Sequence, residues 1–334
     1  MRTAALLLAF ALAEPLHGQW RPLSTGTTAS LRGLSVVDDR TVWASGSRST
    51  VLHTTDGGTT WQVDTVPGGT FDVRAVHGRS ATVAHAVATA GRIWRTVDGG
   101  KTWSLRYQAT DTSVFLDAVD FWDDRHGIAL GDPMGGRFFV LVTSNGGESW
   151  QEAPLTSRPE AREGEAAFAA SGQVLVVDGM RGAWIGSGGR HARLHRSVDR
   201  GMTWTALDSP IRAGGSSTGI FGVTPAAKTL VVVGGDYAQD DSTRANAAIY
   251  LPGRKEWVTP TTTTGGFRSS VAAGRGGRLI LAVGQAGSDI SDDGGRTWRP
   301  FDRSGFHAVR ASPNSVFYAS GANGRIAVYQ GSSH

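Results

Sequence analysis

Short apolar segments, broken by glycine-rich polar turns, recur along nearly the whole chain. Ser30–Val36, Thr41–Ala44 and Thr50–His53 alternate apolar and polar positions, with a turn at Asp38-Asp39-Arg40 between the first two. A period of two places one face of each segment against a core, which is the pattern of a half-buried strand. The succession restarts at Phe71, Phe115, Glu165, Thr218 and Phe267, and nothing reads as a long amphipathic helix. The pattern therefore predicts an all-β chain of small antiparallel sheets.

Between the third and fourth segments of each group the same turn returns. Thr54-Thr55-Asp56-Gly57-Gly58-Thr59-Thr60-Trp61 is followed by Val97-Asp98-Gly99-Gly100-Lys101-Thr102-Trp103 and Ser144-Asn145-Gly146-Gly147-Glu148-Ser149-Trp150. Further copies are Ser197-Val198-Asp199-Arg200-Gly201-Met202-Thr203-Trp204 and Ser291-Asp292-Asp293-Gly294-Gly295-Arg296-Thr297-Trp298, with a degenerate one at Leu251–Trp257. Asp or Asn closes such a turn by accepting nearby backbone N–H groups, and glycine takes the left-handed position without strain. Tryptophan is large enough to pack between sheets with its N–H able to find a partner. Asp56, Asp98, Asn145, Asp199 and Asp293, with Trp61, Trp103, Trp150, Trp204 and Trp298, thus read as fold chemistry, because catalysis rarely needs five copies of a residue.

The tryptophans at 61, 103, 150, 204, 257 and 298 are spaced by 42, 47, 54, 53 and 41 residues, and 41 residues before Trp61 stands Trp20. A repeat of that length with four strands per unit predicts a seven-bladed β-propeller of four-stranded antiparallel blades. The last group, Phe306–Val309, Ser315–Tyr318 and Arg325–Tyr329, has three strands and no such turn. Its missing outer strand is expected from Trp20-Arg21-Pro22-Leu23, so that the N-terminal strand closes the ring.

The S/T-x-D-x-G-x-T-W pattern resembles the Asp-box (BNR) repeat, and the length and spacing resemble the photosystem II stability/assembly factor-like group among proteins that carry it. The resemblance spans residues 19–331. It implies a scaffold that holds a client protein or peptide, although sialidases, xyloglucanases and sortilin-type receptors carry the same repeat.

Arg2, the apolar run Ala4–Ala13 and then Glu14-Pro15-Leu16-His17-Gly18 read as a signal peptide over residues 1–18, cleaved after Gly18. The expectation is an exported protein, periplasmic or secreted, that is a monomer with a short tail at 332–334. The run is too short to cross a bilayer and no later one does so. The absence of cysteine removes disulfides and thiolate metal sites. The net charge is +4, carried mostly by arginine, with no basic run or stacking motif, which argues against nucleic acid. Nine scattered histidines and glycine-rich segments that open no helix predict neither a metal nor a cofactor.

Strand direction puts the recurring turns on one face of the ring and the remaining loops on the other. Loops that vary on a rigid scaffold are where binding concentrates. On that face blade three contributes Asp132 and Arg137, blade four Arg190, and blade five Asp236 and Tyr237. The starts of the innermost strands add Arg32, Arg74, Asp117, Glu165, Arg268 and His307 around the channel mouth. Together these form the candidate ligand-binding set, fit for a protein or peptide and conceivably for carbohydrate. The alternative is a sialidase-like glycoside hydrolase, with Arg32, Arg74 and Arg268 on a substrate carboxylate and Glu165, Asp132 and Tyr237 catalytic. Against it, the usual sialidase propeller has six blades and an Arg-Ile-Pro segment that this chain lacks.

Overall fold

The computed structural model describes residues 19–330, so the expected signal peptide at 1–18 and the tail at 332–334 lie outside the described residues. Within that range the chain forms seven antiparallel sheets. Blade one is Leu31–Val36, Val42–Gly46, Thr50–Thr54 and Gln62–Thr65, in that order from the channel outward. Blades two, three and six repeat it from Val73–Gly78, Leu116–Phe121 and Ser270–Ala273. The last blade takes three strands from the C-terminal end and its fourth, Gln19–Leu23, from the other end of the chain, with Trp20 opposite Tyr329. That pairing closes the ring and leaves no open edge between first and last blades.

The core is a ring of blade-to-blade interfaces, with no single centre. Seven buried clusters each draw on two neighbouring sheets: Trp43 and Trp94 fill the space between blades one and two, and Phe138 and Ile185 that between three and four. Period-two alternation supplies both sides, because each inner strand buries one face against each neighbour.

The recurring turns are built alike. Asp56 accepts the Thr60 N–H at 2.9 Å and the Thr60 hydroxyl at 2.7 Å, while Thr54 Oγ1 accepts the Gly58 N–H at 3.0 Å. Asp98, Asp199 and Asp293 repeat this with Thr102, Thr203 and Thr297, while Asn145 accepts the Ser149 N–H and donates from Nδ2 to the Ser149 hydroxyl. These bonds hold the Asp98 carboxyl down at about 2. The expected tryptophan N–H partners are found only in part: Trp204 Nε1 donates to the Gly201 carbonyl at 3.1 Å, but those of Trp61, Trp103, Trp150 and Trp298 have no acceptor among the described residues. The indole rings earn their place by packing, as in the edge-on contact of Trp103 with Trp43 at 6.1 Å.

Blade four departs from the expected layout. Its innermost strand is Leu175–Asp178, not the segment from Glu165 to Phe168. Glu165–Ala166 instead pairs with Gly188–Gly189 and joins the inner end of blade five's sheet. Residues 167–174 then cross the channel. Among the described residues no helix is long and apolar enough to cross a membrane.

Candidate functional site: the channel mouth

A repeated irregularity in the inner strands makes the site. The pairing of first and second strands slips by one residue between Leu31 and Gly33, Val73 and Ala75, Leu116 and Ala118, and Ile220 and Gly222. The residues left over are Arg32, Arg74, Asp117 and Phe221. A bulge re-aims its extra side chain out of the sheet's alternation, and these four all line one cavity of about 400 Å³ at the channel mouth.

The floor of the cavity is the crossing segment, with Ala167, Phe168, Ala169 and Ala170 exposed to it. The segment is tied to several blades. The Ala167 N–H donates to Asp132 at 3.1 Å, Ser171 Oγ to the Ser269 carbonyl at 2.8 Å, and Arg310 Nη2 to the Ser171 carbonyl at 3.2 Å. Gly172, at φ 69°, passes so close to blade two that a Cβ there would lie 2.8 Å from Ala75 Cβ.

One wall is aromatic. Phe168 stacks on Phe221 at 4.0 Å, Phe267 meets Phe221 edge-on at 4.7 Å, and Tyr237, half exposed at 50%, closes the group 5.9 Å from Phe221. The opposite wall is charged. Arg74 pairs with Asp72 at 2.8 Å and lies over the Phe115 ring at 5.4 Å. Arg32 has no carboxylate within ion-pair distance among the described residues; burial and the neighbouring Arg74 push its pKa down, against a weaker pull from Asp72. Burial, with Arg32, Arg325 and Arg74 nearby, lowers His307 to about 4, so at neutral pH its ring is uncharged and bonded to Ser30 Oγ at 3.2 Å. Asp117 is buried, and its Oδ2 has no hydrogen-bond partner among the described residues; burial and the Asp132 charge push it well above the usual carboxylate range. Burial raises Asp132 as well, against the bond from Ala167.

Of the residues expected at the mouth, Arg32, Arg74, Asp117, Asp132, Tyr237 and His307 line the cavity, and Arg137, Glu165, Arg190, Asp236 and Arg268 do not. Arg268 is buried and bound to Asp289 at 2.5 Å. Asp236 is buried against Arg212 at 3.2 Å, Arg137 is paired with Glu160 at 2.5 Å, and Arg190 is an exposed neighbour of Glu163 at 3.6 Å. Glu165 is the clearest correction. Its carboxylate takes Arg193 Nη2 at 2.5 Å and Nε at 3.0 Å, His195 Nε2 at 3.0 Å, and the Ser187 hydroxyl. Burial pushes this carboxyl up, but His195, Arg193 and Ser187 outweigh it and hold it at about 2. Arg32, Arg74, Asp132 and Tyr237 share the cavity, but Glu165 and Arg268 are both consumed by buried ion pairs outside it, so the full set drawn together for glycoside hydrolysis does not converge. Among the described residues, no group of three His, Cys, Asp or Glu side chains is placed to hold a metal ion.

Sequence reasoning missed Phe115, Phe168, Phe221 and Phe267. The signal available was their recurrence just before or within the inner strands, where a core role is the ordinary assumption.

No protein-family model matches the chain, and no curated protein matches it. Solved structures do. YCF48 bound to a D1 peptide superposes with a TM-score of 0.67 at 17% identity, covering 95% of this chain and 97% of that one. YCF48 from Cyanidioschyzon merolae gives 0.65 at 19% identity, covering 93% and 98%. At that identity the likeness is one of fold, and what it establishes is that this chain is built on the same seven-bladed wheel as YCF48.

Proposed function

We propose that the protein is an exported, non-enzymatic scaffold that holds a protein or peptide client on its loop face, with the channel mouth as the anchor point. The observation that carries this reading is the unpaired Arg32 guanidinium facing an aromatic wall across a preformed cavity. A desolvated cation without a counter-ion is stabilised by an incoming carboxylate, and the Phe168–Phe221–Tyr237 wall favours a neighbouring apolar or aromatic side chain. A client segment with an acidic group next to a bulky side chain satisfies both. The D1 peptide held by YCF48, a propeller of the same shape, supports a peptide as the class of ligand. Export rests on the apolar N-terminal run read from the sequence.

The test is fluorescence anisotropy with labelled peptides that pair a carboxylate with Phe or Leu, against amide-capped controls. Saturable binding that weakens at least about tenfold, or about 1.4 kcal/mol, in Arg32→Glu and in Tyr237→Ala is expected. Arg137→Glu, on the same face but outside the cavity, should leave it unchanged. Equal affinity across all variants sinks the proposal, and turnover of an aryl glycoside by the wild type would restore the enzymatic reading.

A further inference from the structure

The crossing segment divides the channel in two. Beneath it, toward the face that carries the recurring turns, lies a second cavity of about 250 Å³. Its wall is polar and apolar in about equal measure, with Ala75, Val119, Val223 and Ala272 beside His77, Asp120 and Thr224, and Ser171–Gln173 form its roof. Into this space blade seven projects Arg310 from its inner strand. The guanidinium donates from Nη1 to the Val309 carbonyl at 3.1 Å and from Nη2 to the Ser171 carbonyl at 3.2 Å. Two of its five N–H donors are thereby used, which leaves three for a ligand. Its carboxylate neighbour is Asp120, which does not bond to it. Asp120 is already engaged by the Val177 N–H at 2.9 Å and by His77 Nδ1 at 3.1 Å. Burial lowers the Arg310 pKa to about 10, with Asp120 opposing. A guanidinium sunk in a channel with spare donors and no ion-pair partner has unmet demand for negative charge.

We propose that this lower cavity is a binding site for a small oxyanion, a carboxylate or a phosphate, held by Arg310. The site is distinct from the mouth, since Arg310 and the mouth residues lie on opposite sides of the crossing segment. An anion bound by Arg310 fixes the guanidinium, whose Nη2 donates to the Ser171 carbonyl, and so braces the segment that forms the floor of the mouth. The ligand carries a single small anionic group, because the cavity offers one guanidinium, that of Arg310. Acetate and inorganic phosphate are the two probes, and they separate a carboxylate source from a phosphate source.

The experiment is calorimetric titration and thermal shift of the full protein with sodium acetate and with sodium phosphate, against chloride at matched ionic strength. Saturable binding of one or both, at low-millimolar or tighter affinity, is expected for the wild type, with a matching rise in Tm. Arg310→Gln should abolish the binding at the lower cavity, while Arg137→Gln, which lies outside both cavities, should leave it unchanged. Asp120→Asn should tighten binding by a few fold, because it removes the one nearby negative charge while keeping an acceptor for Val177. No saturable binding beyond chloride, equal binding by Arg310→Gln, or an equal loss in Arg137→Gln would each overturn the proposal. If Arg310→Gln does not fold, Asp120→Asn decides: unchanged or weakened binding overturns it.

Discussion

Gln173 reaches across the central channel and pairs with the backbone of Val271: Nε2 donates to the Val271 carbonyl at 2.5 Å, and Oε1 accepts the Val271 N–H at 2.8 Å. One side-chain amide thus does for the inner edge of blade six what a neighbouring strand does elsewhere in a sheet. The same Oε1 also accepts the Ser270 hydroxyl at 2.6 Å. Inner strands face the channel with an unpaired edge, and a buried unpaired N–H or carbonyl is costly. The crossing segment therefore closes the channel and satisfies blade six in one stroke.

Gln173→Ala removes all three bonds and leaves both Val271 groups without a partner. A loss of about 3 kcal/mol is expected at roughly 1 kcal/mol per bond. Thermal or urea unfolding measures it. A loss below about 0.5 kcal/mol would mean that the segment is not pinned there.

Glu165→Gln strands Arg193 in a buried position, with an expected cost of about 3–5 kcal/mol at neutral pH. The pH dependence has a definite sign. The folded carboxyl sits at about 2, below its ordinary value of 4.5. Its contribution is therefore complete above about pH 4.5 and is lost as pH falls toward 2. The stability gap between wild type and Glu165→Gln should narrow across that window. A gap that stays constant down to pH 2.5 contradicts the assignment.

The recurring turns test whether charge or geometry matters. Asn145 stands where the other copies have Asp, and it keeps the bond from the Ser149 N–H at 3.1 Å. Asp293→Asn should therefore be milder than Asp293→Ala, which loses the bonds from Thr297 and Arg296 and should cost about 1 kcal/mol or more. Equal unfolding midpoints for the two variants would show that the side-chain acceptor contributes little.

Ring closure is tested at Trp20, which is buried among Phe301, Phe306 and Tyr329 and donates from Nε1 to Ser288 Oγ at 3.0 Å. Trp20→Ala should cost about 3–5 kcal/mol. Ser288→Ala removes only the bond and should cost about 1 kcal/mol. Limited proteolysis should then cut the Trp20→Ala variant first near its N-terminal strand. Full retention of stability would mean that the wheel closes without that strand.

The sequence by itself determined the wheel: seven sheets, their strand polarity, the turns on one face and the strand exchange between chain ends. Each of these is encoded within a few residues, by period-two alternation and by an Asp, a glycine and a hydroxyl at fixed offsets, and repetition makes a weak local signal strong. It also placed Arg32, Arg74, Asp117 and His307 at the mouth, because a blade repeat carries its register from copy to copy. Tertiary structure alone decided the rest. Residues 165–168 read as the start of an inner strand because they stand where the blade repeat begins again, yet 167–174 run across the channel because Gln173 finds Val271, 98 residues away. Glu165 reads as a free acid until Arg193 and His195 fold over it. Such pairings have no local signature, because the contacts that fix them are made between blades and not within one.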